Sequence, residues 1–310
     1  MSFAPFQHIK ARSRYWKPAG FHGFSVYHVM KNFAEGFSVP YLTERAAAIS
    51  YNFILSVPPT CLFLFTLAPN LPFISKKTLR LQLHSLITDI IPSANYNEGV
   101  IKFMDEIIMG SKFGLLSFTF VLSLLFASNA VIGIMRSFNK DYIGFKKVKG
   151  LKKRWKAIKL TVRLFALTLF FFILMLITNN ILDFLGVKSE YLKDLILFGK
   201  WLLLFTLIFY TYGFVYKYAP STTRRWKLVS PGAIIATCLS ILATVLFSLF
   251  VSNFGRYNLL YGSIGTIMVV MIMIFLNSLA VLIGFEFNLS IHTLKSLEEK
   301  SREEEMLKKE

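Results

Sequence analysis

The most constraining feature of this sequence is an apolar stretch, residues 228–285, in which Arg256 is the only charged residue. A transmembrane helix needs about 20 residues to cross about 30 Å of hydrocarbon, so this stretch is too long for one crossing. A soluble domain would expose too much apolar surface with a block of this kind. We therefore predict a helical hairpin that turns at Arg256, with its two arms as the fifth and sixth membrane spans.

Four further apolar blocks predict four more spans, in residues 46–71, 113–135, 164–182 and 195–217, with Lys200 reaching outward from the fourth. Charged residues make up only 17% of the 310 residues, whereas soluble proteins carry about 25%. The period-2 alternation of a membrane β-barrel is absent from the sequence. The predicted fold class is an all-α polytopic membrane helix bundle with six transmembrane helices.

The basic residues predict the orientation of these spans. The N-terminal segment, two alternate loops and the tail hold 25 of the 35 Lys and Arg residues, and the other loops hold 9. Because positive loops stay in the cytoplasm, both termini are predicted to be cytoplasmic. No secretory signal is recognised before the first span, so we expect a multi-pass protein of the bacterial inner (plasma) membrane. The predicted organisation is an N-terminal segment 1–45, a membrane domain 46–288 and a charged helical tail 289–310.

The segments outside the predicted spans are amphipathic or strongly charged. The external loop 72–112 contains two amphipathic helical patterns, which predict either a structural cap or a lid over an external opening. An aromatic stripe in the N-terminal segment predicts an interfacial helix that turns into the first span. The loop 136–159 has ten basic residues and one acid, Asp141. This loop either serves topology alone or also binds anionic lipid headgroups, whereas nucleic acid is not expected in so short a loop.

Polar residues inside the spans are the best pointers to a functional site, because leaving them unsatisfied in hydrocarbon is costly. In the first span such residues precede Pro58 and Pro59, which predict a kink or break in the helix. A broken helix at the membrane midplane is typical of transporter sites. Our hypothesis is a polar substrate cavity open to the cytoplasmic side, lined by Ser50, Tyr51, Asn52, Ser56, Pro58, Asn129 and Asn277.

Glu286 is the only acidic residue assigned to a span, and it lies near the predicted cytoplasmic end of the sixth. Arg163 and Arg136 lie at a similar predicted depth. We therefore predict that Glu286 pairs with one of these arginines, either as an ion pair that locks the helices or as a coupling group.

Catalytic and metal chemistry is not indicated by the sequence. The two cysteines fall inside spans, the five histidines form no metal-binding spacing, and no nucleophile, base and orienting group can be assembled. We expect no metal, no cofactor and no enzymatic activity. The predicted partners are membrane lipids, and a homo-oligomer or an envelope-protein partner stays open.

Several motifs of the chain resemble those of the YihY/BrkB family of membrane proteins. The first span contains AAAISYNFILSVPP, the fifth opens with SPGA, and the sixth runs from YGSIG to LIGFEFN. The last motif holds Tyr261, Gly262, Ser263, Gly265 and Asn288. The resemblance implies six spans with cytoplasmic termini, and a poorly defined function for which lipid or solute export has been suggested. Some members carry a ribonuclease BN label, which this sequence does not support.

Two functions follow from these patterns. The first is a transporter or flippase-like protein for an amphipathic, anionic envelope lipid or precursor, based on the basic face, the first span and the inner-leaflet polar residues. The second is a non-transporting scaffold for an envelope-biogenesis complex.

Overall fold

A computed structural model describes residues 14–67, 113–139, 150–184, 190–222, 226–253 and 257–308, together with positions 77, 80, 81, 84, 101, 102, 105 and 106. The regular secondary structure of these segments is helical, as the sequence predicted. We number seven helices: α1 Val26–Gly36, α2 Val39–Leu67, α3 Phe113–Phe138, α4 Gly150–Phe184, α5 Glu190–Tyr218, α6 Pro231–Asn253 and α7 Tyr257–Leu307.

The six long helices form a closed ring. Each of them contacts the next one along the chain, and α7 returns to contact α2. The start of α2, the end of α3, the start of α4, the end of α5 and the start of α6 all meet at one end of this ring, beside residues 281–289 of α7. We call this the basic end, because the predicted cytoplasmic Lys and Arg residues flank it. The ring thus has the alternating up and down course that the charge pattern predicted.

Within the described residues, four helices are long and apolar enough to span a membrane. These are Val39–Phe63, Leu116–Phe138, Pro231–Val251 and Ile267–Leu307. The predicted hairpin is confirmed as two contacting helices, α6 and α7, while Arg256 lies outside the described residues. Six spans and cytoplasmic termini stay predictions. Because α7 has 51 residues and each residue adds about 1.5 Å, this helix extends well beyond a bilayer.

The buried core lies at the basic end. All six long helices contribute to it, and its fully buried large side chains include Met135, Phe138, Tyr216, Leu282 and Phe285. Away from the basic end, the helices expose apolar side chains such as Phe118, Val121, Leu246, Phe250 and Met271. Such exposure is typical of helices that face lipid, where apolar side chains need no protein cover.

The first span is not broken at its prolines, so of the predicted kink or break the break is wrong and the kink stays a prediction. α2 runs as one helix from Val39 to Leu67 with Pro58 and Pro59 inside it. A proline removes one backbone hydrogen bond and leaves a carbonyl free. The carbonyls that Pro58 and Pro59 leave free are those of Ile54 and Leu55. Ser56 Oγ donates to Phe53 O at 2.7 Å and Thr60 Oγ1 donates to Ser56 O at 2.7 Å, so these hydroxyls bond to neighbouring carbonyls and do not replace the lost bonds. The contacts of α2 with α3 and α7 hold the helix in place.

The aromatic stripe of the N-terminal segment packs on protein. α1 lies against α7, where the Phe21 and Phe33 rings lie 5.9 and 5.7 Å from the Phe287 ring, centroid to centroid. Asn32 Nδ2 also donates to Ser290 O at 3.1 Å. The stripe therefore attaches α1 to α7 at the basic end, and an interfacial position of α1 stays a prediction.

The loop 72–112 is described at only a few positions. Asp105 accepts hydrogen bonds from Arg80 at 2.6 Å and from His84 at 2.9 Å, so the two predicted amphipathic segments touch each other. The hydrogen bond from Arg80 lowers the pKa of the Asp105 carboxyl, and the bond from His84 adds to this effect. The remainder of this loop lies outside the described residues.

Candidate functional site

Three of the predicted site residues join pairs of helices. Ser50 Oγ on α2 lies 3.1 Å from Ser278 Oγ on α7. Asn277 on α7 accepts a hydrogen bond from Ser240 on α6, and Asn129 on α3 accepts one from Arg154 on α4. Hydrogen bonds of this kind hold membrane helices together.

The other predicted cavity residues lie on α2. Tyr51 is 63% exposed, and Pro58 is also exposed. Asn52 Nδ2 donates to Ala48 O at 2.7 Å, and the Asn52 side chain covers Gly133 of α3 so closely that a Cβ there would lie 3.0 Å from Nδ2. None of the predicted cavity residues lines either of the two cavities described below. The common cavity therefore stays a prediction, and in this conformation the core closes the basic end.

Glu286 pairs with Arg45, so the predicted partner was wrong. Arg45, near the start of α2, donates hydrogen bonds to the Glu286 carboxylate on α7 and to the Ser137 carbonyl near the end of α3. The Arg45 and Glu286 side chains are only 6% and 14% exposed. Arg163 instead lies over the Tyr218 ring at 4.4 Å. Arg136 is exposed.

The sequence reasoning missed Arg45 because it assigned this residue to the N-terminal segment. Arg45 directly precedes Ala46, where the predicted span begins. A cation at the first turn of a span can fold back toward a neighbouring helix, and Arg can form several hydrogen bonds at once. The position of Arg45 beside the alanine-rich start of the span was the sequence feature that could have indicated a contact with a neighbouring helix.

Two glycines let α6 and α7 cross at backbone contact. A Cβ at Gly232 would lie 2.1 Å from the Gly284 carbonyl oxygen, and a Cβ at Gly284 would lie 2.4 Å from that of Gly232. Close crossings of this kind between membrane helices need small residues. The SPGA and LIGFEFN motifs therefore meet here, and we call this contact the glycine crossing.

Asn288 fixes the start of α6 beside the glycine crossing. Its Oδ1 accepts from Gly232 N at 2.8 Å, and its Nδ2 donates to Ser230 Oγ at 2.9 Å. Ser230 caps the helix, with Pro231 as its first residue, which is a favoured arrangement at a helix start. The motif residue Asn288 thus satisfies a backbone donor that would otherwise be buried without a partner.

Asn288→Leu is expected to destabilise the folded protein by about 2 kcal/mol, because it leaves Gly232 N buried without an acceptor. Asn288→Asp keeps an acceptor next to the positive end of the α6 dipole and should destabilise less. Thermal unfolding of the purified protein in detergent, followed by size-exclusion chromatography, measures both. Equal loss of stability in the two variants would contradict the assigned role of Oδ1.

The remaining motif residues lie in α7, far along the helix from Asn288. Tyr261, Gly262 and Ser263 are helical, but their side chains are outside the described part of the structure. Gly265 is buried.

An aromatic cluster closes the ring at the basic end. Phe138 and Phe285 stack with their ring centroids 3.9 Å apart, and Trp226 stacks on Phe285 at 5.5 Å. Tyr216 lies 6.0 Å from Phe138, and its hydroxyl donates to Val281 O at 2.8 Å. We call Phe138, Tyr216, Trp226 and Phe285 the aromatic plug.

A cavity of about 920 Å³ lies outside the plug, at the basic end. The segment before α1, the start of α6 and the second half of α7 bound this cavity. Trp226 forms part of its wall. Two lysines, Lys227 and Lys295, and two glutamates, Glu299 and Glu303, line it, and Lys295 Nζ lies 3.9 Å from Glu299 Oε1. His22 also lines it, and burial, together with the charges of Lys295 and Lys227, lowers the pKa of the His22 imidazole. We call this space the cationic cavity after its two lysines; the two glutamates balance their charge.

A metal site is not found in the described part of the chain, which contains no group of three or more His, Cys, Asp or Glu residues able to hold an ion. Cys61 and Cys238 are free thiols.

Comparisons with known proteins give one consistent result. The family model of virulence factor BrkB matches residues 34–308. The ribonuclease-like protein YfkH of Bacillus subtilis is 30% identical over 260 residues, which is 82% of this chain and 91% of that protein. UPF0761 membrane proteins of Mannheimia succiniciproducens and Histophilus somni are 23% and 22% identical over 78% and 87% of this chain, and over 82% and 92% of their own lengths. No solved structure shows significant similarity to the chain.

Proposed function

The chain belongs to the virulence factor BrkB family, and from this premise we propose that it is a transporter or flippase-like protein of the bacterial inner membrane. Its proposed substrate is an amphipathic, anionic envelope lipid or lipid precursor. In this proposal both termini and the basic end face the cytoplasm, in agreement with the positive-inside rule.

The observation that carries the proposal is the cationic cavity and its shared wall with the aromatic plug. Lys227 provides charge for an anionic group, and Lys295 adds to it once the group displaces the Glu299 carboxylate, which lies 3.9 Å from Lys295 Nζ. Trp226 provides an apolar face for the remainder of an amphipathic molecule once the His292 ring, stacked on it at 4.8 Å, moves away. Trp226 also stacks on Phe285, so a ligand that displaces this indole would loosen the plug. The cavity would then open into the ring, where Ser50, Ser240 and Asn277 provide polar groups.

The other contacts of the basic end would resist such opening. The glycine crossing keeps α6 on α7, and the Arg45 and Glu286 pair keeps α2 on α7. Movement is therefore expected at the plug and between α5 and α6, while α2, α6 and α7 move as one unit. Since no nucleotide-binding loop is recognised in the sequence, we propose that an ion gradient or a partner protein supplies the energy.

A nuclease activity is not part of this proposal, although one relative has a ribonuclease-like name. The Glu286 carboxylate is held by Arg45, and no nucleic-acid-binding motif is recognised in the sequence. Metal-assisted phosphodiester cleavage needs a set of His and acidic ligands, for which the sequence offers no suitable spacing. We therefore propose a non-enzymatic role.

A scaffold that does not transport is the second candidate. The observation that favours it is the use of Ser50, Asn129 and Asn277 in hydrogen bonds between helices. Side chains engaged in this way stabilise a bundle and need no substrate. A scaffold would bind envelope proteins through its exposed surfaces and leave lipid distribution unchanged.

Lipid translocation by the purified protein separates the two candidates. We expect vesicles containing the protein to expose inner-leaflet fluorescent phosphatidylglycerol to dithionite faster than protein-free vesicles. The double variant Lys227→Gln/Lys295→Gln should lower the rate of this lipid translocation by about thirtyfold, because each basic residue contributes roughly 1 kcal/mol to binding of the anionic lipid. The matched control is Lys300→Gln/Arg302→Gln, which removes the same charge from the exposed tail. Wild-type rates equal to those of protein-free vesicles would favour the scaffold.

A further inference from the structure

A second concave surface at the basic end lies between α4 and α5, away from the cationic cavity. Its volume is about 480 Å³, and its lining includes five cations, Lys152, Lys156, Lys159, Arg163 and Lys217, with no acidic residue among the lining side chains. We call it the α4–α5 groove. None of its basic residues lines the cationic cavity, so the two surfaces can be tested separately.

The sequence places these cations on one side of a helix. Lys152, Lys156, Lys159 and Arg163 follow one another at intervals of four, three and four residues along α4. This spacing puts them on a single helical face. Lys217, at the end of α5, faces the same groove from the other side.

Three of the cations make contacts within the groove. Lys156 Nζ donates to Pro220 O at 2.9 Å and to Ala219 O at 3.4 Å, just beyond the C-terminus of α5. It thereby offsets the negative end of the α5 dipole, which would otherwise repel an anion. The Arg163 guanidinium lies 4.4 Å over the Tyr218 ring, and Lys217 Nζ lies 5.5 Å from the same ring.

Like charges gathered on a concave surface repel one another, and a bound anion relieves this repulsion. The walls of a groove also focus the field of its charges, so attraction for an anion exceeds that of a flat surface with the same residues. The concentration of cations without an acid is therefore a feature that a phosphate group would stabilise.

The depth of the groove indicates where such a phosphate comes from. Arg163 and Lys217 lie at the predicted ends of the third and fourth spans, where a bilayer presents its headgroups. Trp155 is exposed beside the groove, with Lys159 Nζ 5.4 Å from its ring. Exposed Trp and Tyr residues next to Lys and Arg are typical of the membrane interface.

We propose that the α4–α5 groove binds the phosphate of an anionic membrane phospholipid. Lys159, Arg163 and Lys217 surround the phosphate, while Trp155 and Tyr218 lie against the glycerol and upper acyl region. This site does not depend on the proposed transport activity, because a scaffold could hold a lipid in the same place.

Native mass spectrometry of the detergent-purified protein tests the site, with phosphatidylglycerol as the probe and phosphatidylcholine as the neutral comparison. We expect one tightly bound phosphatidylglycerol, with affinity reduced about thirtyfold by Lys159→Gln/Arg163→Gln. Lys300→Gln/Arg302→Gln, with equal loss of charge in the tail, should change the affinity by less than about twofold. Lys152→Gln/Lys159→Gln alters only exposed side chains and provides a second test if Arg163 also supports the fold.

Three outcomes would overturn the proposal. Unchanged phosphatidylglycerol affinity in both groove variants would place the lipid elsewhere. Equal affinity for phosphatidylcholine, whose choline group neutralises the phosphate, would show that the net negative charge of the lipid does not direct binding to these cations. Displacement of the lipid by inorganic phosphate at an equal concentration would show a site for free phosphate, without a contribution from the membrane-facing aromatic residues.

Discussion

Gly232→Ala is expected to prevent the protein from folding into its native bundle. The added Cβ would lie 2.1 Å from the Gly284 carbonyl oxygen and 2.5 Å from Asn288 Cγ. A backbone carbonyl cannot rotate away as a side chain does, so α6 and α7 must separate. Separation also lengthens the hydrogen bond from Gly232 N to Asn288. We expect a loss of about 3 kcal/mol or more, at the upper end of the range for overpacking.

A matched glycine provides the control. A Cβ at Gly199 of α5 meets no atom within 4 Å, so Gly199→Ala should keep or slightly raise stability through its better helix propensity. The measurement is the yield of monodisperse protein after membrane extraction, together with its thermal unfolding temperature. Gly284→Ala should resemble Gly232→Ala, and the double variant should not recover. Normal yield and stability of Gly232→Ala would contradict the close approach of α6 and α7.

The glycine crossing also shows what a sequence motif can reveal. The sequence placed SPGA at the start of the fifth span, which the start of α6 at Pro231 confirms. It placed LIGFEFN at the end of the sixth span, but α7 continues past this motif to Leu307. It could not show that the two motifs contact each other, because their separation along the chain fixes no distance in space. Local chemistry, such as the cap at Ser230 and Pro231, is readable from sequence, whereas a contact between helices depends on how the ring closes.

The same reason explains the error over Glu286. Depth in the membrane was estimated well enough to expect an arginine nearby, but three arginines lie at comparable depth. Which one reaches Glu286 depends on whether α2, α3 or α4 lies next to α7. In the ring it is α2, so Arg45 is the partner and Arg163 turns to Tyr218. Hydropathy patterns give the length of helices and leave their neighbours undetermined.

The α2 prolines show a second limit of the sequence. They remove the donors for the Ile54 and Leu55 carbonyls, yet α2 continues to Leu67. The contacts of α2 with α3 and α7 support the helix on both sides of the prolines. Such support comes from neighbouring helices, which the sequence pattern does not identify.

Removing either partner of the Arg45 and Glu286 pair is expected to destabilise the protein by about 3–5 kcal/mol, because the remaining charge is buried without compensation. Arg45→Lys should also destabilise, since a single ammonium group cannot reproduce the forked contacts to Glu286 and the Ser137 carbonyl. Lys31→Gln removes one partner of the exposed pair between Lys31 and Glu35 and is the control, with an expected effect below about 1 kcal/mol. Thermal unfolding in detergent measures each effect.

The double variant Arg45→Met/Glu286→Leu separates a helix-locking role from a coupling role. Replacing a buried ion pair by apolar side chains of similar size is often neutral or stabilising, so this variant should unfold within about 1 kcal/mol of the wild type. If the pair only locks α2 to α7, the double variant should also keep its rate of phosphatidylglycerol translocation. A folded double variant that no longer translocates lipid would contradict a purely structural lock and would assign the pair to coupling.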